Sequence, residues 1–272
     1  MDLIRPHPIR RFSDGRWESR PDAVVGEIRV ELDVNDGQYR LAMLCLPRDL
    51  DAVAVGFLWG EGVLTARTDL HGIDVSAEDG VVRLRGDFDA AALASLSRRW
   101  TWGTGCGGGG TGHDVYRPDL VAVGPGPTVQ PEQILALVEA FQSRAALWRQ
   151  TGAVHACGLA DAQRIVLFAE DVGRHNAFDK VMGRALLDGI GVSDKLVLTT
   201  GRLSAEIVSK AATCRVPILA SRSAVTSLGI RLARRLNMTL VGFVRGRRLN
   251  VYTAYQRVGT AASPEGGSAD GA

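Results

Sequence analysis

The second half of the chain alternates apolar strand patterns with amphipathic helix patterns, and this alternation restricts the fold more than any other feature. Apolar residues spaced by three and four predict several helices, the first of which begins at Pro131. Buried strands are predicted at residues 195–200, 217–220 and 239–244. Strands that alternate with helices form a largely parallel sheet covered on both faces. The sequence therefore predicts an α/β domain over residues 128–256.

The preceding residues predict a smaller N-terminal α+β subdomain over residues 21–100. Alternating segments on either side of the turns at residues 35–37 and 78–80 predict two hairpins, and two helical patterns accompany them. Residues 1–20 are basic and polar, and we expect a flexible N-terminus. Residues 257–272 are rich in Ala, Gly and Ser, and we expect a disordered tail.

Composition limits the classes of function. A formal net charge of +2 over 272 residues is too small to indicate a nucleic-acid-binding protein. No apolar run approaches the 18 or more residues of a membrane span, and residues 1–20 lack the apolar stretch of a signal peptide. We therefore expect a cytoplasmic protein without membrane association. The four cysteines are scattered along the chain and lack CxxC spacing, which predicts reduced thiols. They are Cys45, Cys106, Cys157 and Cys214.

A glycine-rich segment surrounds Cys106. Seven of the ten residues at 103–112 are glycine, and residues 101–127 predict a mobile loop and linker between the two halves. Backbone amides can approach a sulfur atom that has almost no side chains beside it, and amide donors favour the nucleophilic thiolate. The alternative is a linker that happens to contain a cysteine. Residues 103–108 also match G-x-G-x-x-G, but no helix pattern follows, so a dinucleotide site is not predicted.

His155 and Cys157 have the spacing of the His-x-Glu motif of zinc deaminases. That motif needs the glutamate as general acid and base, together with a later Pro-Cys-x-x-Cys. Cys157 occupies the glutamate position and the cysteine pair is missing. We therefore expect no metal site and no catalytic zinc, and we expect core packing as the role of Cys157, Cys45 and Cys214.

Residues 170–176 join a strand to a helix and are dense in hydrogen-bonding groups. Asn176 could cap the helix that follows. Two interpretations stay open: a charged connection held by caps and ion pairs, or a functional segment in which His175 contacts a ligand.

Three further connections follow predicted strands and combine small residues with arginine. They lie at residues 201–204, 221–223 and 245–248. Ligands of open α/β sheets bind outside the carboxyl ends of the strands, where helix N-termini attract anions and arginine recognises phosphate. One such turn would be ordinary solvated surface, whereas several on one edge predict a site for a phosphorylated ligand. Additional ligand contacts are predicted at Gly201, Arg202, Ser204 and Ser221.

These segments resemble the FdhD family, the formate dehydrogenase accessory sulfurtransferases. The resemblance covers roughly residues 22–254 and depends on the number and order of several pieces. The pieces are GFLWGEG at 56–62, TGAVHA at 151–156, EDVGRHNAFDK at 170–180, TGR at 200–202, VPILAS at 216–221 and LVGFVRG at 240–246.

The resemblance implies a cytidine-deaminase-like layered α/β domain with a smaller N-terminal subdomain, in a homodimer. It implies a sulfur carrier that takes sulfur from a cysteine desulfurase and passes it to the bis-molybdopterin guanine dinucleotide cofactor of formate dehydrogenase. The cofactor is then a substrate, and GDP is its partial mimic. The resemblance assigns the persulfide to Cys106, and it assigns cofactor binding to Phe243, Val244, Arg245, Gly246, Arg247 and Arg248.

One position departs from the family pattern, which is often Cys-Gly-x-Cys-Gly. Gly109 stands at the second cysteine, so only one thiol remains for a persulfide. One alternative to the sulfur carrier therefore stays open, a chaperone that binds and inserts the molybdenum cofactor without carrying sulfur. A zinc hydrolase is a separate, third alternative, and it predicts bound metal.

Overall fold

A computed structural model describes residues 2–98 and 120–259 of the chain. These residues form a two-stranded, a four-stranded and a six-stranded sheet. None of the described helices combines the length and the hydropathy that a membrane span requires. The α/β class and the smaller N-terminal α+β subdomain are as predicted, and the deaminase-like layering stays a prediction.

The N-terminus forms an antiparallel hairpin where a flexible segment was expected. Strand β1 (Ile4–Ser13) pairs with β2 (Arg16–Val25). The turn between them is Asp14-Gly15, and both residues have positive φ, at 52° and 77°. An Asp-Gly pair is a strong signal for this type of two-residue turn. The expectation of a flexible N-terminus over residues 1–20 is therefore wrong. It was based on the basic composition and did not consider the turn signal between the two strands.

The N-terminal subdomain is a four-stranded sheet with one helix packed against its buried face. The predicted hairpins are β3 (Ile28–Val34) with β4 (Tyr39–Cys45) and β5 (Leu70–Ser76) with β6 (Val81–Gly86). The strand order is β4-β3-β6-β5. Helix α1 (Leu50–Gly60) buries its side chains against this sheet, and α2 (Ala90–Arg98) adds Leu93 to the same core.

The six-stranded sheet has the order β12-β11-β10-β9-β7-β8. Its strands are β7 (His155–Ala160), β8 (Ile165–Asp171), β9 (Leu196–Thr199), β10 (Ile218–Ser221), β11 (Thr239–Arg245) and β12 (Arg248–Val251). Only β9, β10 and β11 pair in parallel, so the expected largely parallel sheet is corrected to a mixed one. Short connections at residues 161–164 and 246–247 explain this, because so short a link can join only antiparallel strands.

Helices cover both faces of the six-stranded sheet. Helices α5 (Arg174–Leu187), α6 (Ala205–Thr213) and α7 (Ser227–Arg235) share one core with it. Helix α3 (Pro131–Arg144) lies in the core on the other face. Leu147 belongs to a separate short helix, α4 (Ala146–Thr151). The backbone leaves the helical region at Ala145, and the side chain of Leu147 packs in a fourth, smaller cluster.

Helices α1 and α5 hold the two subdomains together in backbone contact. A Cβ atom on Gly56 would lie 1.8 Å from the carbonyl oxygen of Asp179, and one on Gly183 would lie 1.9 Å from that of Ala52. Glu61, at the end of α1, lies 3.5 Å from Nζ of Lys210. The GFLWGEG segment is therefore explained by packing between the subdomains.

Arg257 anchors the chain that follows residue 119. Its guanidinium donates to the carbonyl oxygens of Gly124 and Pro125, and to that of Asn237 at the amino-terminal end of the sheet. Arg257 and Val258 are each 2% exposed. The folded structure thus extends beyond the predicted boundary at residue 256.

Candidate functional site

The three arginine-containing connections meet at one edge of the six-stranded sheet. Strands β8, β9, β10 and β11 all end there, and the antiparallel strands β7 and β12 begin there. We call this the carboxyl edge. Its residues lie at 155–156, 171–175, 200–204, 221–223 and 245–248. The predicted convergence of these segments is observed.

Hydrogen bonds join the connections to one another. The Ser221 hydroxyl donates to the carbonyl oxygen of Gly201 at 2.6 Å and accepts from the Ser223 amide at 2.9 Å. Nε of Arg245 donates to the carbonyl oxygen of Arg222 at 2.7 Å. Ser221 is fully buried. Its hydroxyl therefore joins the connection at residues 201–204 to the one at residues 221–223. The side chain lies below the surface of the protein.

The turn between β11 and β12 carries three exposed arginines. Phe243 and Gly246 have positive φ, at 51° and 56°, and the strand register shifts between Gly242 and Arg245. The Arg245 guanidinium lies 5.7 Å from the ring centroid of Phe243. Arg247 and Arg248 are exposed, whereas Val244 is buried. Adjacent guanidinium groups on an exposed turn are suited to binding a phosphorylated ligand.

A cavity of about 360 Å³ opens beside the carboxyl edge, between it and helices α3 and α4. Its lining includes Trp148, Arg149, Thr200 and Arg222. Nε of Arg222 is buried and has no hydrogen-bond partner within residues 2–98 and 120–259. Buried donors are nearly always paired, so this one is suited to an acceptor on a bound ligand.

Glu170 fixes the position of Trp148 at the cavity. Its carboxylate accepts from the backbone amides of Leu147 at 3.1 Å and Trp148 at 2.9 Å, at the start of α4. The Glu170 side chain is buried, whereas Trp148 is 49% exposed. The carboxylate satisfies amides that the start of a helix leaves free, and so presents an aromatic surface beside the cavity.

His155 and Thr200 form a neutral polar pair at the start of β7. The Thr200 hydroxyl accepts from the Ala156 amide at 3.1 Å and lies 3.1 Å from Nδ1 of His155. Burial lowers the pKa of His155, and Arg174 lowers it further. A neutral imidazole either accepts the Thr200 hydroxyl proton at Nδ1 or donates its own proton there, according to its tautomer.

Two residues predicted as ligand contacts lie in a buried carboxylate cluster. Oε2 of Glu206 lies 3.0 Å from Nη2 of Arg174 and 3.5 Å from Nε2 of His175. The Ser204 hydroxyl reaches the same oxygen at 3.4 Å. Arg202, by contrast, is exposed at the carboxyl edge. Ser204 and His175 therefore contribute to the support beneath the edge, since Ser204 is 3% exposed and the His175 side chain 15%.

Three other residues of the segment 170–180 contact the N-terminal subdomain. Asp171 accepts from the Leu46 amide at 3.1 Å and lies 2.7 Å from Nζ of Lys180. Asn176 donates to the carbonyl oxygen of Leu44 at 2.7 Å. It lies inside α5, with Gly173 at the N-cap, so the expectation that Asn176 caps the helix is wrong. The structure favours the connecting role for these three residues.

The three described cysteines are buried thiols. Burial, together with Asp171, raises the pKa of Cys45 to about 12. Burial also raises the pKa values of Cys157 and Cys214, and Asp179 raises both further. All three stay protonated at neutral pH, in agreement with the predicted packing role. Cys106, the predicted nucleophile, lies outside the described residues.

Sequence reasoning missed the aromatic side of the site. Trp148 and Arg149 lie on a short helix whose pattern continues that of α3. Thr200 directly follows a buried strand, and nothing local distinguishes it. The only local signal was an aromatic residue with charged and polar neighbours.

Comparisons with known proteins agree with this architecture. Residues 25–259 match the model of the FdhD/NarQ family. The chain is 36% identical over 262 residues to the sulfur carrier protein FdhD of Listeria monocytogenes, covering 95% of this chain and 100% of that one. It is 32% identical over 257 residues to the protein of that name from Bacillus subtilis, covering 92% and 95%.

A solved structure gives the same result at the level of the fold. A crystal structure from Desulfotalea psychrophila, described as a formate dehydrogenase accessory protein, has a TM-score of 0.76 and 28% identity to this chain. The match covers 94% of this chain and 100% of that one. The chain therefore belongs to the FdhD/NarQ family.

Proposed function

We propose that this protein is a sulfur carrier that accepts sulfur from a cysteine desulfurase as a persulfide on Cys106. It then delivers that sulfur to the bis-molybdopterin guanine dinucleotide cofactor required by formate dehydrogenase. The names of the relatives and the description of the solved structure support this class of activity. The assignment to Cys106 depends on the state of the other thiols.

The observation that carries the assignment is that the other three cysteines are unsuited to nucleophilic attack. Cys45, Cys157 and Cys214 are each 0% exposed, and burial raises the pKa of every one. The thiolate is the attacking form of cysteine, so a buried thiol with a raised pKa reacts slowly. Cys106 is the remaining cysteine of the sequence, and glycines flank it on both sides.

The loading reaction needs only one thiolate. The Cys106 thiolate attacks the outer sulfur of a persulfide on the desulfurase. A new S–S bond forms on Cys106, the donor's S–S bond breaks, and the donor cysteine leaves as a thiolate. Release of the outer sulfur as sulfide to the cofactor then consumes two electrons, which a thiol reductant supplies. Gly109 in place of a second cysteine is compatible with both steps.

The carboxyl edge supports binding of the cofactor as a substrate. Arg245, Arg247 and Arg248 provide guanidinium groups for diphosphate. The cavity of about 360 Å³ lies within the usual size range of ligand sites, roughly 300–1,000 Å³. Trp148 offers a surface on which a guanine base can stack, and the buried Nε of Arg222 offers a donor.

Intact-mass spectrometry tests the persulfide directly. The full chain is incubated with a cysteine desulfurase and cysteine, next to Cys106→Ala and the matched control Cys45→Ala. We expect one added sulfur atom on the wild type and on the control, removable by a reductant, and none on Cys106→Ala. Sulfur retained on Cys106→Ala would move the site to another cysteine.

Gly109 favours one alternative, a cofactor-binding insertion chaperone that carries no sulfur. The two functions differ in Cys106→Ala, which should bind GDP as the wild type does under both. A sulfur carrier loses activation of formate dehydrogenase in this variant. A chaperone keeps it, so full activation by Cys106→Ala would replace the sulfur carrier with the chaperone.

A further inference from the structure

Glu139 is the only carboxylate residue among the described residues that line the cavity of about 360 Å³. It lies on α3, three residues before Gln142, which lines the same cavity. A carboxylate repels phosphate, so Glu139 is unsuited to the diphosphate assigned to the turn at residues 245–248. Because an ionised carboxylate only accepts hydrogen bonds, Glu139 is suited to a part of the ligand that carries donors.

The Glu139 carboxylate is available to a ligand. Its side chain is exposed and, within residues 2–98 and 120–259, it takes part in no hydrogen bond or ion pair. Arg149, which also lines the cavity, donates through Nη1 to the carbonyl oxygens of Gln142 and Ser143 at 3.1 and 3.0 Å. These hydrogen bonds direct its guanidinium to the backbone at the end of α3. The acceptor of the cavity is therefore not occupied by the arginine beside it.

Arg222 joins the cavity to the arginine turn. Its Nε is the buried donor of the cavity lining, without a hydrogen-bond partner among the described residues. Its backbone carbonyl oxygen accepts from Nε of Arg245 at 2.7 Å. The cavity consequently lies next to the turn assigned to the diphosphate. A base in the cavity and a diphosphate on the turn can belong to one nucleotide.

The acceptor and the donor of the cavity together match guanine. The N1–H and the 2-amino group of guanine are adjacent donors, which one carboxylate can accept as a bidentate pair. Guanine also offers O6 and N7 as acceptors for a donor such as Nε of Arg222. Adenine has an unprotonated N1, and it has an amino group where guanine has O6. It would therefore oppose an acceptor to Glu139 and a donor to Arg222.

We propose that Glu139 selects guanine, by accepting the N1–H and the 2-amino group of the base that stacks on Trp148. The inference rests on the proposed function, since it names the residue that recognises a base of the cofactor. A site that hydrogen-bonds a ligand N–H discriminates against an analogue without it, because a polar group of the protein is then left unpaired. Glu139 takes no part in loading sulfur.

Calorimetry of the full chain with GDP and inosine diphosphate tests this selection. Inosine diphosphate differs from GDP only in lacking the 2-amino group, and the wild type should bind it at least about tenfold more weakly. Glu139→Gln keeps the shape of the side chain but can oppose its own amide NH₂ to the 2-amino group, so the preference for GDP should disappear. A purely structural effect would weaken both nucleotides equally. Glu132→Gln, in the first turn of α3 and outside the cavity lining, is the matched control and should keep the preference.

The opposite results separate this inference from the proposed function. A wild type that binds GDP and inosine diphosphate equally would overturn the role of Glu139 and leave the diphosphate contacts of the arginine turn in place. A Glu139→Gln variant that keeps the wild-type preference would do the same. A wild type that binds neither nucleotide would overturn the cofactor site of the proposed function together with this inference.

Discussion

Nζ of Lys210 lies 2.6 Å from Oδ2 of Asp179, and both residues are 1% exposed. The pair joins α6 to α5 directly beneath α1, whose Glu61 approaches the same ammonium at 3.5 Å. Burial alone lowers the pKa of Lys210, but Asp179 and Glu61 outweigh it and the pKa is raised. Lys210 therefore stays charged at neutral pH.

Removing one member of this pair should destabilise the fold strongly. Lys210→Met leaves the Asp179 carboxylate buried without its counter-ion, and we expect a loss of about 3–5 kcal/mol in the free energy of unfolding. The double variant Lys210→Met/Asp179→Leu should recover much of this loss, because it also removes the buried Asp179 carboxylate. Urea unfolding at neutral pH measures all three proteins. A double variant less stable than the single one would contradict this account.

Gly56→Ala should prevent folding of the native structure. The added methyl would lie 1.8 Å from a backbone oxygen of α5, which cannot move without separating the subdomains. We expect a loss of more than about 3 kcal/mol, or no soluble protein. Gly191→Ala is the matched control, since nothing lies within 4 Å of its Cβ position. Soluble yield and thermal midpoint report the difference, and a stable Gly56→Ala would refute the close helix contact.

The central strands were predictable because each is a short, continuous apolar run. Leu196–Thr199 and Ile218–Ser221 are buried along their whole length, and such runs identify strands that helices cover on both faces. Because these strands were expected to be parallel, their carboxyl ends were expected at the same edge of the sheet. This is why the arginine turns could be grouped before their positions were known.

The cavity was not predictable, because distant residues form it. Trp148 is held beside the carboxyl edge by the hydrogen bond that its backbone amide donates to the Glu170 carboxylate. The two residues are not neighbours in the sequence, so no local pattern indicates this contact. The hairpin of β1 and β2 was missed for a different reason. Arginines are interspersed among the apolar residues over residues 1–20, and the apolar face appears only after Phe12 and Trp17 are paired across the turn.

Arg247→Gln should weaken binding of GDP about tenfold, which corresponds to about 1.4 kcal/mol. Arg247 is exposed on the turn, so its replacement should remove the charge proposed to bind the diphosphate and change little else. Binding by the variant should also depend less on salt. Arg234→Gln, at the end of α7, is the control. Calorimetry at low and high salt measures both, and unchanged affinity in Arg247→Gln would exclude this residue from the site.

Trp148→Ala should weaken GDP binding by about 1–3 kcal/mol, the usual contribution of an aromatic side chain stacked on a base. Trp17→Ala offers a matched control, since Trp17 is similarly exposed but lies in strand β2. Quenching of tryptophan fluorescence by GDP should disappear in Trp148→Ala and persist in Trp17→Ala. If quenching persists in Trp148→Ala instead, the base lies outside this cavity.

Alkylation of the folded protein by iodoacetamide at pH 8 should modify one cysteine. Thiolates react and thiols do not, and the raised pKa values of Cys45, Cys157 and Cys214 keep these three protonated well above pH 8. We expect one label on the wild type, none on Cys106→Ala, and labelling of all four cysteines of the wild type in guanidinium chloride. Peptide mass spectrometry identifies the labelled residue. Rapid labelling of Cys45 in the folded protein would show that the contact between the subdomains opens readily, and the argument that assigns the sulfur to Cys106 would lose its basis.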